Sequence, residues 1–198
     1  MIVDSSSLII FAKLNKLDML IKLYGNINIT NEIYKEVVIE GLAIDAPDAK
    51  IIESFSNSNK IKIIPLNAKY ESFSKELRRI YSQLDVGESD AISLVLQEGK
   101  KEIIMDEKIG RQISKLYNLK PLGSLRILLN AYKKNIIQES ELREIIKEMI
   151  GHKFRIGADV INEFWIIFEK IKIPADPGGR GIFNPPTGND GRGRASGY

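Results

Sequence analysis

Four times along this chain a short run of apolar, largely β-branched residues closes on a polar residue, and apolar side chains at helical spacing follow at once. The runs are MIVD into SSSLIIFAKL, NINIT into NEIYKEVVIEG, KIKIIPL into a polar amphipathic stretch from about Lys69 to Ser82, and EIIMD into EKIGRQISKLY. A helix between each pair of strands acts as a crossover, so the strands run parallel and helices cover both faces of the sheet. LKPLG adds a fifth short strand or a connector. The expected architecture is a three-layer α/β/α domain around a mainly parallel sheet of four to five strands. PDAKIIESFSN and GESDAISLVLQEG read as further helices between these units. SLRILLNAYKKN, ESELREIIKEMI and ADVINEFWIIFEKI follow as three more, with an extended FRIG before the last. No internal repeat of roughly 20–50 residues points to a solenoid.

A hydrophobic content of 43% over 198 residues suits one domain with a substantial core. That domain is expected over residues 1–173. Residues 174–198 differ in kind: they hold seven of the 15 glycines and four of the seven prolines, no lysine, and no apolar periodicity. They read as a disordered, Gly/Pro-rich tail of vector origin. The rival reading, an Arg/Gly arm gripping RNA, has only three widely spaced arginines behind it. The single histidine, His152, and the absence of cysteine exclude zinc sites, thiol nucleophiles and disulfides. Hydrolytic chemistry is left to carboxylates, hydroxyls or lysines. A net charge of +3 is too mild to announce nucleic-acid binding. No cationic leader opens the chain and no apolar run approaches the roughly 20 residues of a bilayer span, so a cytoplasmic location without membrane contact is expected.

In an open parallel sheet ligands bind beyond the carboxyl ends of the strands. Asp4 and Asp106 both close apolar strands and fall at that edge, although each is also suited to cap the helix that follows. Glu36 lies in NEIYKEVV at the margin of a face shared by Ile33 and Val37, with Glu32 one turn before it. Glu88 and Asp90 open LDVGESDAISL, where an acidic first turn also suits the helix dipole. Together, four acids at one sheet edge form a repulsive cluster that a divalent cation resolves. Mg²⁺ or Mn²⁺, hard ions served by oxygen ligands, match such a set.

The order of these motifs resembles the PIN-domain nuclease family, in particular its small prokaryotic branch related to the toxins of VapBC-type toxin–antitoxin pairs. The resemblance runs through IVDSSSLI, ITNEIYKEVV, LDVGESDAISLVLQEG, IIMDEKIGRQISKLYNL, PLGSLRILLNAYKKNII and HKFRIGADVINEF, roughly residues 1–165. It implies a metal-dependent endoribonuclease in which Asp4, Glu36, Asp90 and Asp106 hold one or two Mg²⁺ or Mn²⁺ ions. Ser6, Glu88 and Glu107 stand as supporting groups. Glu32 matches the family's helix glutamate less well than Glu36 does, and Thr30 stands where relatives often carry proline. Lys108, Arg111 and Ser124 are candidates for binding substrate phosphate, against ordinary roles as solvated or capping residues. The resemblance also implies a small antitoxin partner and a homodimer.

Competing readings are a housekeeping RNA-processing nuclease, and a catalytically weak RNA-binding or protein-interaction module on the same fold. A phosphoacceptor receiver-like domain fits less well, lacking an acidic pair after the first strand and a lysine ending a late one. The stripe Leu8, Phe11, Ala12 and Leu14 and the cluster Phe164, Trp165 and Phe168 suit either core or an interface.

Overall fold

The short apolar runs form a five-stranded sheet of β1 (Ile2–Val3), β2 (Ile27–Ile29), β3 (Ile61–Ile63), β4 (Glu102–Ile104) and β5 (Lys120–Leu122). Its order is β3-β2-β1-β4-β5 and every pairing is parallel. Ile2, Val3, Ile27, Ile29, Ile103 and Ile104 are fully buried, as expected for strands covered on both faces. The computed structural model describes residues 1–152, 154 and 157–172. The expectations for the tail at 174–198, and for the middle of FRIG, lie outside them.

Eleven helices surround the sheet among the described residues: α1 (Ser5–Lys13), α2 (Leu17–Tyr24), α3 (Asn31–Tyr34), α4 (Gly41–Ala43), α5 (Pro47–Asn57), α6 (Ala68–Ile80), α7 (Val86–Gln97), α8 (Lys108–Leu116), α9 (Ser124–Lys133), α10 (Glu139–Gly151) and α11 (Ala158–Lys172). Helix α7 packs on β1 and β4 and contacts α3, α6 and α8. A second group joins α1, α2 and α5 with α9, on which α10 and α11 rest. The result is the three-layer α/β/α architecture. Among the described residues no helix is long and apolar enough to cross a membrane.

Two local features depart from the sequence expectation, and one open choice is decided. LDMLIKLY forms a helix of its own, α2, separated from α1 by Asn15 in the left-handed region (φ 52°), a conformation asparagine tolerates better than most residues. NEIYKEVVIEG is broken rather than one α-helix: Lys35–Glu40 is π-helical between α3 and α4. LKPLG resolves as strand β5. Leu8, Phe11, Ala12, Leu14, Phe164 and Phe168 all belong to the core, and Trp165 packs against it half-buried.

The strand order positions the site. The chain moves outward from β1 to β2 and β3, then returns to the other flank of β1 for β4 and β5. The reversal leaves a crevice outside the carboxyl ends of β1 and β4, where such folds bind ligands. Asp4 donates its backbone N–H to the Ile104 carbonyl at 3.1 Å, so the residues that end these two strands sit side by side.

Candidate active site

Asp4 ends β1 and caps α1, its Oδ1 accepting the Ser7 N–H at 2.9 Å. The exposed Ser6 hydroxyl reaches its other oxygen at 3.3 Å. The side chain is almost wholly buried. Burial, chiefly, raises its pKa to about 7; the charges of Asp106 and Glu88 add to this, against hydrogen bonds from Ser7.

Asp106 stands opposite, just past β4. It accepts from the Ser7 hydroxyl at 2.9 Å, from the Ser124 N–H at 2.8 Å, and from the Ser124 hydroxyl as well. Ser7 thus bridges the two strand-end acids, its amide on Asp4 and its hydroxyl on Asp106. Gly123 permits the approach from below: a Cβ there would lie 3.3 Å from Asp106 Oδ1 and 3.1 Å from Arg111 Nη1.

Glu88 is placed by a capping box. The Asp85 side chain accepts the Glu88 N–H at 2.7 Å, and Glu88 Oε2 accepts the Asp85 N–H at 3.0 Å. Its second oxygen, Oε1, is buried with no hydrogen-bond partner among the described residues. It lies against α8, where a Cβ on Gly110 would stand 2.7 Å from it. Burial pushes the Glu88 carboxyl up to about 7, opposed by the Asp85 hydrogen bond and helped by the charges of Asp85 and Glu107. Glu36 is carried by the π-helical turn and accepts from the Ser5 hydroxyl at 2.8 Å. Burial raises its pKa too, with Asp85 and Glu40 adding to the effect. Turns of this kind often occur at functional positions.

Asp90 does not join this group. Its carboxylate accepts from the Ser74 hydroxyl of α6 at 2.6 Å and faces a polar cavity lined by Thr30, Glu32, Lys75 and Arg78. Burial raises its pKa, countered by hydrogen bonds from Ser74 and Thr30 and by the charge of Arg78. Two residues along a helix differ by about 200° in direction, so Glu88 and Asp90 turn to different neighbours. Glu107 and Lys108 are exposed, and with Ser6 and Asp106 they line an open cleft of about 470 Å³. Ser124 is placed on Asp106 and Arg111 beside it.

None of Asp4, Glu36, Glu88, Asp90, Asp106 and Glu107 forms a salt bridge among the described residues. Nor, among those residues, are three acidic or imidazole side chains gathered tightly enough to hold a metal ion as they stand. Ser5, Ser7 and Asp85 were not legible as site residues. The Asp85-x-x-Glu88 spacing, a capping-box pattern, is the sequence signal that could have found Asp85.

A family profile described as a PIN domain matches residues 1–170. No curated protein matches the chain. The profile covers most of the length, so the chain belongs to the PIN-domain family, whose members are in general nucleases acting on nucleic acid and using divalent metals.

Proposed function

We propose that this PIN-domain chain is a divalent-metal-dependent endoribonuclease that hydrolyses RNA phosphodiester bonds, with Asp4, Glu36, Glu88 and Asp106 as its acidic set. One observation carries the reading. Asp4 is buried within reach of the charges of both Asp106 and the buried Glu88, and none of the three has a salt-bridge partner among the described residues, an arrangement that costs folding free energy and that a cation would relieve. The donors fit a hard ion such as Mg²⁺ or Mn²⁺: all are carboxylate oxygens, and Glu88 Oε1 has no other partner. When bound, such an ion would make a coordinated water more acidic than bulk water and would neutralise charge on the phosphate.

The chain's own residues hold the set in place. Ser7 ties Asp4 to Asp106, Ser124 fixes the far side of Asp106, and Ser5 orients Glu36. Asp85 holds the backbone and one oxygen of Glu88. Glu88 takes the place first expected of Asp90, whose contacts run to Ser74 and Thr30. Arg111 and Lys108 are the cations we assign to substrate phosphate, while the Ser124 amide and hydroxyl are engaged by Asp106.

On the motif resemblance we extend the reading to the toxin half of a VapBC-like pair in a prokaryotic cytoplasm, restrained by a small antitoxin and homodimeric. A housekeeping RNA-processing nuclease is the alternative role for the same site. The test is cleavage of a labelled structured RNA with Mg²⁺ or Mn²⁺ and with EDTA. Asp4→Asn and Glu88→Gln are each expected to lower cleavage on the order of 100-fold or more, while Asp90→Asn stays within a few-fold of wild type. Cutting that survives the first two variants refutes the acidic set. No cutting of any RNA, with no metal binding by calorimetry, leaves the catalytically weak RNA-binding or interaction module.

A further inference from the structure

A cavity of about 220 Å³ opens beside Asp106, between α9 and α11. Leu125, Leu129 and Phe164 are among its apolar walls, and Arg111, Arg126 and Glu163 also line it. Neither arginine forms a salt bridge among the described residues. The cavity adjoins the open cleft at the acids, because Asp106 and Phe154 line both.

Size, lining and position constrain the occupant together. Pockets that enclose a drug-sized ligand run from roughly 300 to 1,000 Å³, so this one accommodates a single planar ring system and leaves a sugar and phosphate outside. Single-stranded RNA is commonly held by unstacking a base onto apolar, aromatic or arginine side chains. Two cations beside the opening matter for a second reason. The acidic crevice repels a polyanion, and arginines at its edge offset that repulsion where the backbone must approach.

We propose that this cavity receives one unstacked base of the RNA next to the scissile bond, with Arg111 and Arg126 holding the phosphate that joins that nucleotide to the chain. That the RNA bound there is also cut rests on the ribonuclease reading. The base-sized subsite itself is measurable without cleavage.

The probe is a fluorescein-labelled single-stranded RNA pentanucleotide, titrated in EDTA against the full-length protein. Arg126→Glu changes an exposed side chain, and Leu125→Trp fills the cavity from a partly exposed position. Each is expected to weaken binding about 10-fold or more. A pentanucleotide abasic at the position flanking the cut should bind wild type as weakly as Leu125→Trp binds the intact probe, with no further loss when both changes are combined. In cleavage assays Arg126→Glu should raise KM and leave kcat within a few-fold. Unchanged affinity in both variants, with cleavage by wild type intact, overturns the subsite and leaves the nuclease standing. Weakened binding in both, with no RNA cut by wild type, overturns the nuclease reading and leaves the subsite. Circular dichroism identifies a Leu125→Trp chain that fails to fold, in which case Arg126→Glu and the abasic probe decide alone.

Discussion

Replacing Asp4 by Asn is expected to stabilise the metal-free protein at about pH 8 while removing its cleavage activity. The Asp4 carboxyl is buried, and its pKa stands at about 7 against an ordinary 3.8. A raised carboxyl pKa means that the folded state binds the proton more tightly than the unfolded chain does. The stabilising contribution is therefore fully present below 3.8 and is lost as pH rises through about 7. About three pH units at roughly 1.36 kcal/mol each put the loss near 4 kcal/mol. Relaxation and water penetration around the ionised group bring this to about 2 kcal/mol. Asn keeps an oxygen for the Ser7 N–H, so α1 keeps its cap, and it has no charge to bury. The variant should match wild type at about pH 4 and exceed it by roughly 2 kcal/mol at about pH 8, or about 4–8 °C in Tm for a chain of this size. Urea unfolding in EDTA across that range measures the difference directly. Adding Mg²⁺ at about 100 times its Kd should then return about 2.7 kcal/mol to wild type and nothing comparable to the variant. A variant less stable than wild type at about pH 8, or a difference independent of pH, refutes the argument that Asp4 is a buried charge held for an ion.

Two further substitutions test the scaffolding of the site. Gly87→Ala would drive a Cβ into the Ser5 hydroxyl and to 3.2 Å from Glu36 Oε2. It should cost about 1–3 kcal/mol in urea unfolding and lower cleavage with it; an unchanged midpoint would show that Ser5 and Glu36 are free to give way. Ser124→Ala removes one hydroxyl from Asp106 while leaving the Ser124 amide on the same carboxylate. It should reduce kcat about 3- to 10-fold with Tm shifted by no more than a few degrees, and full activity would show that the Ser124 amide and the Ser7 hydroxyl suffice to position Asp106.

Local pattern was enough to read much of the molecule. Strand–helix alternation and apolar strands without a polar face imply a parallel sheet covered on both sides, and the five strands are all parallel. An acid that ends such a strand falls at the ligand-binding edge whatever the rest of the fold does, which is why Asp4 and Asp106 were legible. Serine partners were not, because Ser7 reaches Asp106 across 99 positions of sequence and Ser5 reaches Glu36 across 31. Nothing local distinguishes a serine that bridges two acids from one that merely starts a helix.

The pair Glu88 and Asp90 marks the boundary between the two kinds of knowledge. Sequence alone determined that both open a helix, and that a chain with one histidine and no cysteine must rely on carboxylates, hydroxyls or lysines. What it could not determine is the rotation of α7, since that helix is buried nearly all round and presents no polar face to orient it. Packing against β1 and β4 on one side and α6 on another settled the matter, turning Glu88 toward Asp4 and α8 and Asp90 toward Ser74. Helix formation is governed by neighbours in sequence, whereas the direction in which a buried helix aims its polar groups is governed by neighbours in space, and only the folded chain supplies those.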